Sequence, residues 1–422
     1  MYSLSKHKSG VTLVTCNLPA RESVSVGVWV RVGSRNETNR NSGVSHFLEH
    51  ILFKGTTKRS TRQIKEAIEG VGGSLNAFTG EESTCYLVKI PKKYMPLALD
   101  VLVDMVKNPL LSPREIERER HVIIEEIKMY KDLPSQHVHD EITDLMWPNH
   151  PLGRNIAGTE ASVSALSPQH LKKHLNSYYH ANNIVISVCG NIRQSDVKYE
   201  IDRLFPRREV KRSSACKKVT RKAAKPTLKF ITKNIEQTHL VLGFRGVSRF
   251  SSQRYALVLL DILLGANMSS RLFEEVREKR GLAYEIKTHT NFLSDTGAFS
   301  ISAGVETKKV AATVKVVLAE LKKVIKQRIP EKEFQRAKDY FVGQLGLALE
   351  DTMDHMLWLG DRALWRNELP DRNKIIKTVE NIRESDVRKV AQSIFKNSNL
   401  HFAAIGPFND VIQTKIKKAF KF

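Results

Sequence analysis

The run Ser42-Gly43-Val44-Ser45-His46-Phe47-Leu48-Glu49-His50-Ile51-Leu52-Phe53-Lys54-Gly55-Thr56 reads as one short helix with its chemistry gathered on one face. Ser42 is a capping residue type ahead of a helix that begins near Gly43. Gly55 supplies a stop, and Lys54 falls in the last turn, where a cation is favoured. At about 100° per residue, His46 and His50 lie only about 40° apart, with Glu49 beside both. Val44, Phe47, Leu48 and Ile51 gather on the opposite face. Two neutral imidazoles one turn apart can hold one Zn²⁺ at about 2.0–2.1 Å each. Glu49 then stands where it can take a proton from water whose pKa the ion lowers towards about 7. The same run also suits a surface helix with two incidental histidines and a solvated glutamate. A zinc site needs a third protein ligand, which the rest of the chain must supply.

Residues 113–131 offer one. This helical stretch carries Glu115, Glu117, Glu119, Glu125 and Glu126. Ile116, Ile123, Ile127 and Tyr130 recur at helical spacing and mark its buried stripe. Glu119 and Glu126 fall inside that stripe, while Glu125 points about 100° away from Glu126. An unpaired carboxylate on a buried face is costly or is forced to protonate, and a nearby cation removes the penalty. Glu126 is therefore the candidate third ligand, with His46 and His50, and leaves one position open for water. Glu119, two turns earlier, can accept from a ligating histidine. Salt bridges to lysine or arginine are the alternative for both glutamates.

Working outward, the pattern around these helices occurs twice. A strand at 23–32 precedes helices at 44–54 and 61–70, strands at 73–79 and 83–90, and helices at 96–106 and 113–131. In the second half, a strand at 239–244 precedes helices at 252–264 and 270–279, strands at 283–291 and 297–304, and long helices from 308 onward. The pattern predicts an α+β fold of two similar, duplicated domains, each a mainly antiparallel sheet packed by helices. Between them, residues 207–229 hold ten Lys/Arg against Glu209 alone, lack apolar periodicity and include Pro226. The division is then 1–208, a basic linker at 209–228, and 229–422. Only the first half carries H-x-x-E-H.

Composition narrows the function. The 422 residues carry 68 Lys/Arg and 45 Asp/Glu, a formal net charge of +23, and 41% of them are hydrophobic. That balance raises nucleic acid as a partner, but the basic stretch has no aromatic residue on which a base could stack, so no nucleic-acid partner is expected. No apolar run is long enough for a membrane span, and the N-terminus lacks the apolar stretch of a secretory signal. Cys16, Cys85, Cys189 and Cys216 form no C-x-x-C pair, which points to a reducing compartment. A cytoplasmic location is expected ahead of a mitochondrial matrix.

Together these features resemble the pitrilysin/insulysin family of inverted zincins, whose motif is H-x-x-E-H followed by a distant glutamate. The likeness is to the mitochondrial-processing-peptidase branch and its bacterial relatives. It covers essentially the whole chain and rests on the quoted helix, on Leu75-Asn76-Ala77-Phe78-Thr79, on the helix with Glu119 and Glu126, and on His150-Pro151-Leu152-Gly153-Arg154. In the second half it rests on Ser269-Ser270-Arg271-Leu272-Phe273 and on the run from Arg277 to Tyr284.

The resemblance implies a zinc metalloendopeptidase with one Zn²⁺ per chain and Glu49 as general base, acting on unfolded peptides. It implies that substrate pairs as an extended strand with a sheet edge, here at Asn76 and Ala77. Arg277 and Tyr284 match an arginine–tyrosine pair that stabilises the oxyanion opposite the zinc. Relatives of this length close a clam-shell chamber by dimerisation, so a homodimer is expected, with Arg277 and Tyr284 acting in trans. The short Gly265-Ala266-Asn267-Met268 differs from the long glycine-rich loop of the non-catalytic processing-peptidase subunit. The rival within the family is a non-catalytic core or assembly subunit.

Overall fold

The computed structural model describes residues 2–206, 211, 215–220 and 226–420. Two sheets organise it. The first has six strands: β1 (Tyr2–Lys6), β2 (Thr12–Asn17), β3 (Ser23–Val30), β4 (Ser74–Thr79), β5 (Thr84–Pro91) and β6 (Ile184–Gly190), in the order β1-β2-β6-β3-β5-β4. The second has β7 (Thr227–Thr232), β8 (Gln237–Gly246), β9 (Ala283–Phe292), β10 (Gly297–Glu306) and β11 (His401–Gly406), in the order β7-β11-β8-β10-β9. Setting β1 aside, the two orders are the same. In each, one parallel pair, β2 with β6 and β7 with β11, sits in an otherwise antiparallel sheet. This is the duplicated α+β architecture expected from the repeated pattern.

In β3 the sequence SVSVGVWV puts Val24, Val26, Val28 and Val30 on one face, where they share a core with Phe47, Leu48, Ile51, Ile64, Leu99 and Ile123. Trp29 points to the other face, into a second apolar layer with Met356, Leu359 and Ala363 of the helix Thr352–Arg366. Both faces of the sheet are therefore covered, which is why its central strands read as near-continuous apolar runs. In the second sheet, Leu240, Leu242 and Phe244 of β8 pack with Leu257, Leu260, Val314 and Val390. Val241, on its opposite face, packs with Val138, Ile142 and Met146 of the helix Pro134–Met146.

These covering helices make the compact units different from contiguous halves. One unit takes the residues up to Lys128 with Arg154–Lys217 and Leu345–Asp371. The other takes Met129–Gly153 and Lys218–Gln344, and continues from Arg372. The physical reason is that each sheet is apolar on both faces, and its second cover comes from a distant part of the chain. Most of the basic stretch, including 207–210, 212–214 and 221–225, lies outside the described residues. No helix among the described residues is long and apolar enough to cross a membrane.

Candidate metal centre

The quoted run forms a helix over Val44–Leu52, with Val44, Phe47, Leu48, Ile51 and Leu52 buried and the histidines partly so. Its cap differs from the expectation. Gly43, not Ser42, is the capping residue; its φ of 90° is left-handed, and no side chain of its own serves the helix. A Cβ at Gly43 would lie 2.5 Å from the Ala157 carbonyl oxygen, so the position demands glycine. The orphan donors are met by Glu37, whose Oε2 accepts from Gly43 N and Oε1 from Ser45 N, both at 2.8 Å. Arg154 in turn donates to the Glu37 carbonyl oxygen at 2.6 Å. The stop also differs: the helix ends at Phe53, and Gly55 with φ 118° turns the chain afterwards.

Glu37 is buried, and desolvation pushes its carboxyl up to about 7, past the opposing pull of the Ser45 and Gly43 amides. A carboxyl whose folded pKa is raised contributes stability at low pH that is lost as pH rises through that pKa. Glu37→Gln has no carboxyl to ionise. Its melting temperature relative to the native chain is therefore expected to climb between pH 4.5 and about 7. Parallel melting curves across that window would refute this.

The glutamate helix, Pro113–Asp132, buries Ile116, Glu119, Ile123 and Ile127 on one stripe. It brings Glu126 Oε2 to 3.8 Å from His46 Nε2 and 3.5 Å from His50 Nε2. The three side chains can each offer one atom within 4.8 Å of the others. Glu125 is turned outward, where it pairs with Lys128 at 2.8 Å.

Glu126 Oε2 and His46 Nδ1 are buried and have no hydrogen-bond partner among the described residues. Desolvation raises the Glu126 pKa against the pull of His50. It lowers that of His46 to about 4, with repulsion from His50 adding to it. Two imidazoles and an orphaned carboxylate oxygen that converge on one point are a donor set suited to a metal cation. Bonds of about 2.0–2.1 Å at a tetrahedral angle place ligand atoms about 3.3 Å apart, close to the separations here.

Glu119 meets both a histidine and a lysine. Its Oε2 lies 3.3 Å from His50 Nδ1, and its Oε1 pairs with Lys54 Nζ at 2.7 Å. Burial pushes its pKa up, but these two partners outweigh it and hold the carboxyl below its ordinary value. The contact at Nδ1 leaves Nε2 as the His50 nitrogen that faces Glu126.

Glu49 is partly buried, with a pKa raised mainly by desolvation, and its Oε2 accepts from Thr79 Oγ1 at 2.5 Å. Sequence reading did not single out Glu37 or Thr79. Neither lies on the histidine helix, and no spacing rule connects them to it.

Comparison with known proteins fits this geometry. Residues 12–160 match the insulinase (peptidase family M16) model, and residues 165–341 match the peptidase M16 inactive domain. The chain belongs to peptidase family M16. An uncharacterized zinc protease of Streptomyces coelicolor is 34% identical to it, over 97% of this chain and 90% of the relative. One of Bacillus subtilis is 36% identical, over 92% and 94%. A crystal structure of a protease from Helicobacter pylori shares the fold, with a TM-score of 0.91, 23% identity, and 96% and 99% of the two chains covered.

The other residues singled out from this M16 sequence lie on elements other than the histidine helix. Asn76 and Ala77 are on β4, an edge strand of the first sheet among the described residues, paired with β5. The Ala77 N–H donates to Asn76 Oδ1 at 2.8 Å, so a substrate strand using that donor must displace the Asn76 carboxamide. In the other unit, the Arg277 guanidinium stacks 4.7 Å over the Phe273 ring and 5.5 Å over that of Tyr284. Arg277 sits on Phe273–Glu278, which winds as a π-helix rather than the α-helix expected, a feature common near functional sites. Tyr284 is 77% exposed, so its hydroxyl is available to an incoming group.

Proposed function

We propose that this M16 chain is a zinc metalloendopeptidase that hydrolyses unfolded peptides, with His46, His50 and Glu126 holding one Zn²⁺ and Glu49 acting as general base. The observation that carries the reading is the convergence of three donor atoms with no hydrogen bond among them, beside a carboxylate on the same helix. Bound there, zinc would supply a Lewis acid that acidifies water and polarises a peptide carbonyl. Thr79 holds Glu49 Oε2, and Oε1 takes the proton of the attacking water and returns it to the leaving amine. Its raised pKa suits a group that must both accept and release that proton. Glu119, through His50 Nδ1, fixes which ring nitrogen faces the ion.

The division into a metal-bearing half at 1–208, a linker at 209–228 and a motif-free half at 229–422 belongs to the same reading. So does a homodimer in which Arg277 and Tyr284 steady the developing oxyanion at the partner's zinc. The backbone at Asn76 and Ala77 receives an extended substrate, a mode that admits flexible chains and not compact domains. The four free cysteines suit a cytoplasmic setting.

Metal analysis beside digestion of a mixed peptide library tests the centre. Glu126→Gln is expected to lose the zinc and the hydrolysis that Glu125→Gln retains. Equal zinc in the native protein and Glu126→Gln would sink the assignment. Unstructured peptides are expected to be cut while stable folded proteins survive; efficient internal cleavage of a folded protein contradicts the edge-strand mode.

A further inference from the structure

The described residues bring together a second set of metal-binding side chains, Cys16, Cys189 and His355, each offering an atom within 4.8 Å of the other two. Cys16 and Cys189 pair directly across the parallel strands β2 and β6. Both lie in the apolar layer beneath the helix Thr352–Arg366, whose first turn carries His355. None of the three is more than 4% exposed. Val14, Val185, Met356 and Leu359 surround them.

His355 is held as a ligand is held. Its Nδ1 lies 3.2 Å from the Leu349 carbonyl oxygen, which accepts from it and leaves the lone pair on Nε2. Nε2 lies 3.8 Å from Cys16 Sγ and 2.9 Å from the Tyr2 hydroxyl. A backbone carbonyl on the far ring nitrogen is the usual way a protein orients a metal-binding imidazole.

We propose that Cys16, Cys189 and His355 form a second, structural metal site that takes a d¹⁰ cation, Zn²⁺ or Cu⁺. Two sulfurs and an imidazole with no carboxylate exclude hard ions such as Mg²⁺ and Ca²⁺ and select soft or borderline ones. Three ligands satisfy Cu⁺; Zn²⁺ draws a fourth from the Tyr2 hydroxyl or from water. Binding releases the two thiol protons to solvent. The ion would tie two strands to a helix whose histidine lies 339 positions from Cys16, fastening the distant segment 345–371 onto the first sheet.

The test takes the full chain, reduced and stripped of metal, and loads it with Co²⁺ as a spectroscopic stand-in for Zn²⁺ and separately with Cu⁺. A thiolate-to-cobalt charge-transfer band is expected in the native protein, and undiminished in Glu126→Gln, whose lesion is at the other centre. Cys189→Ala is expected to abolish it, whereas Cys85→Ala and Cys216→Ala keep it. Should Cys189→Ala fail to fold, His355→Gln decides, because it is expected to weaken cobalt binding at the thiolates at least about tenfold. Competition against a Cu⁺ chelator distinguishes the ions: retention of Cu⁺ marks a copper site, and displacement of Cu⁺ with Zn²⁺ retained marks a zinc site. Native protein that shows no thiolate band and gives up Cu⁺ to the chelator overturns the proposal, as does a band that survives Cys189→Ala or cobalt binding unchanged by His355→Gln.

Discussion

Glu49→Gln is expected to lower peptide hydrolysis by about 10²–10⁴-fold or more while zinc content stays at the native level. The expectation follows from position and partner. Glu49 shares a helix face with His46 and His50, yet its Oε2 is engaged by Thr79 at 2.5 Å. The cluster of converging donor atoms is His46, His50 and Glu126, without Glu49. A carboxamide keeps the shape of the side chain and can still meet the Thr79 hydroxyl, but it cannot take a proton from water. Loss of metal from this variant would make Glu49 a ligand and would refute the division of roles. Retained metal with retained activity would place the base elsewhere.

Mixing Glu49→Gln with Arg277→Ala is expected to restore activity that neither variant has alone. In the proposed homodimer each zinc site takes Glu49 from one chain and Arg277 from the other. A mixed dimer then has one site with both lesions and one with neither. With free subunit exchange at equal concentrations, about half the dimers are mixed, and recovery should approach about a quarter of native activity. If Arg277 served its own chain, both sites of every mixed dimer would stay defective. Mixed dimers detected by mass without recovered activity would therefore overturn the trans arrangement. Arg277 is suited to either outcome, because stacking on Phe273 and Tyr284 holds its guanidinium without consuming its fork of donors.

Much of the candidate metal centre could be read from the chain because helices impose a period. Four residues are nearly one turn, so His46 and His50 had to share a face. The isoleucine stripe of 113–131 likewise separates Glu126 from Glu125 by helical spacing alone. The repeated order of strands and helices also carried the duplicated α+β fold, since alternation and helical spacing are local properties.

What the sequence by itself determined, then, is everything that rests on local periodicity: which residues share a helix face, which strands alternate, and that the pattern occurs twice. Only the tertiary structure decided the rest. It made Glu37 the cap of the histidine helix, six residues before Gly43, and made Thr79 the partner of Glu49. It sent helix 134–146 to the second sheet and helix 352–366 to the first. It joined Cys16, Cys189 and His355 into one cluster. The physical reason is common to all four. A sheet face or a buried donor specifies the kind of group that must cover it, apolar surface or a matching acceptor. It leaves the place along the chain from which that group arrives to be settled by packing.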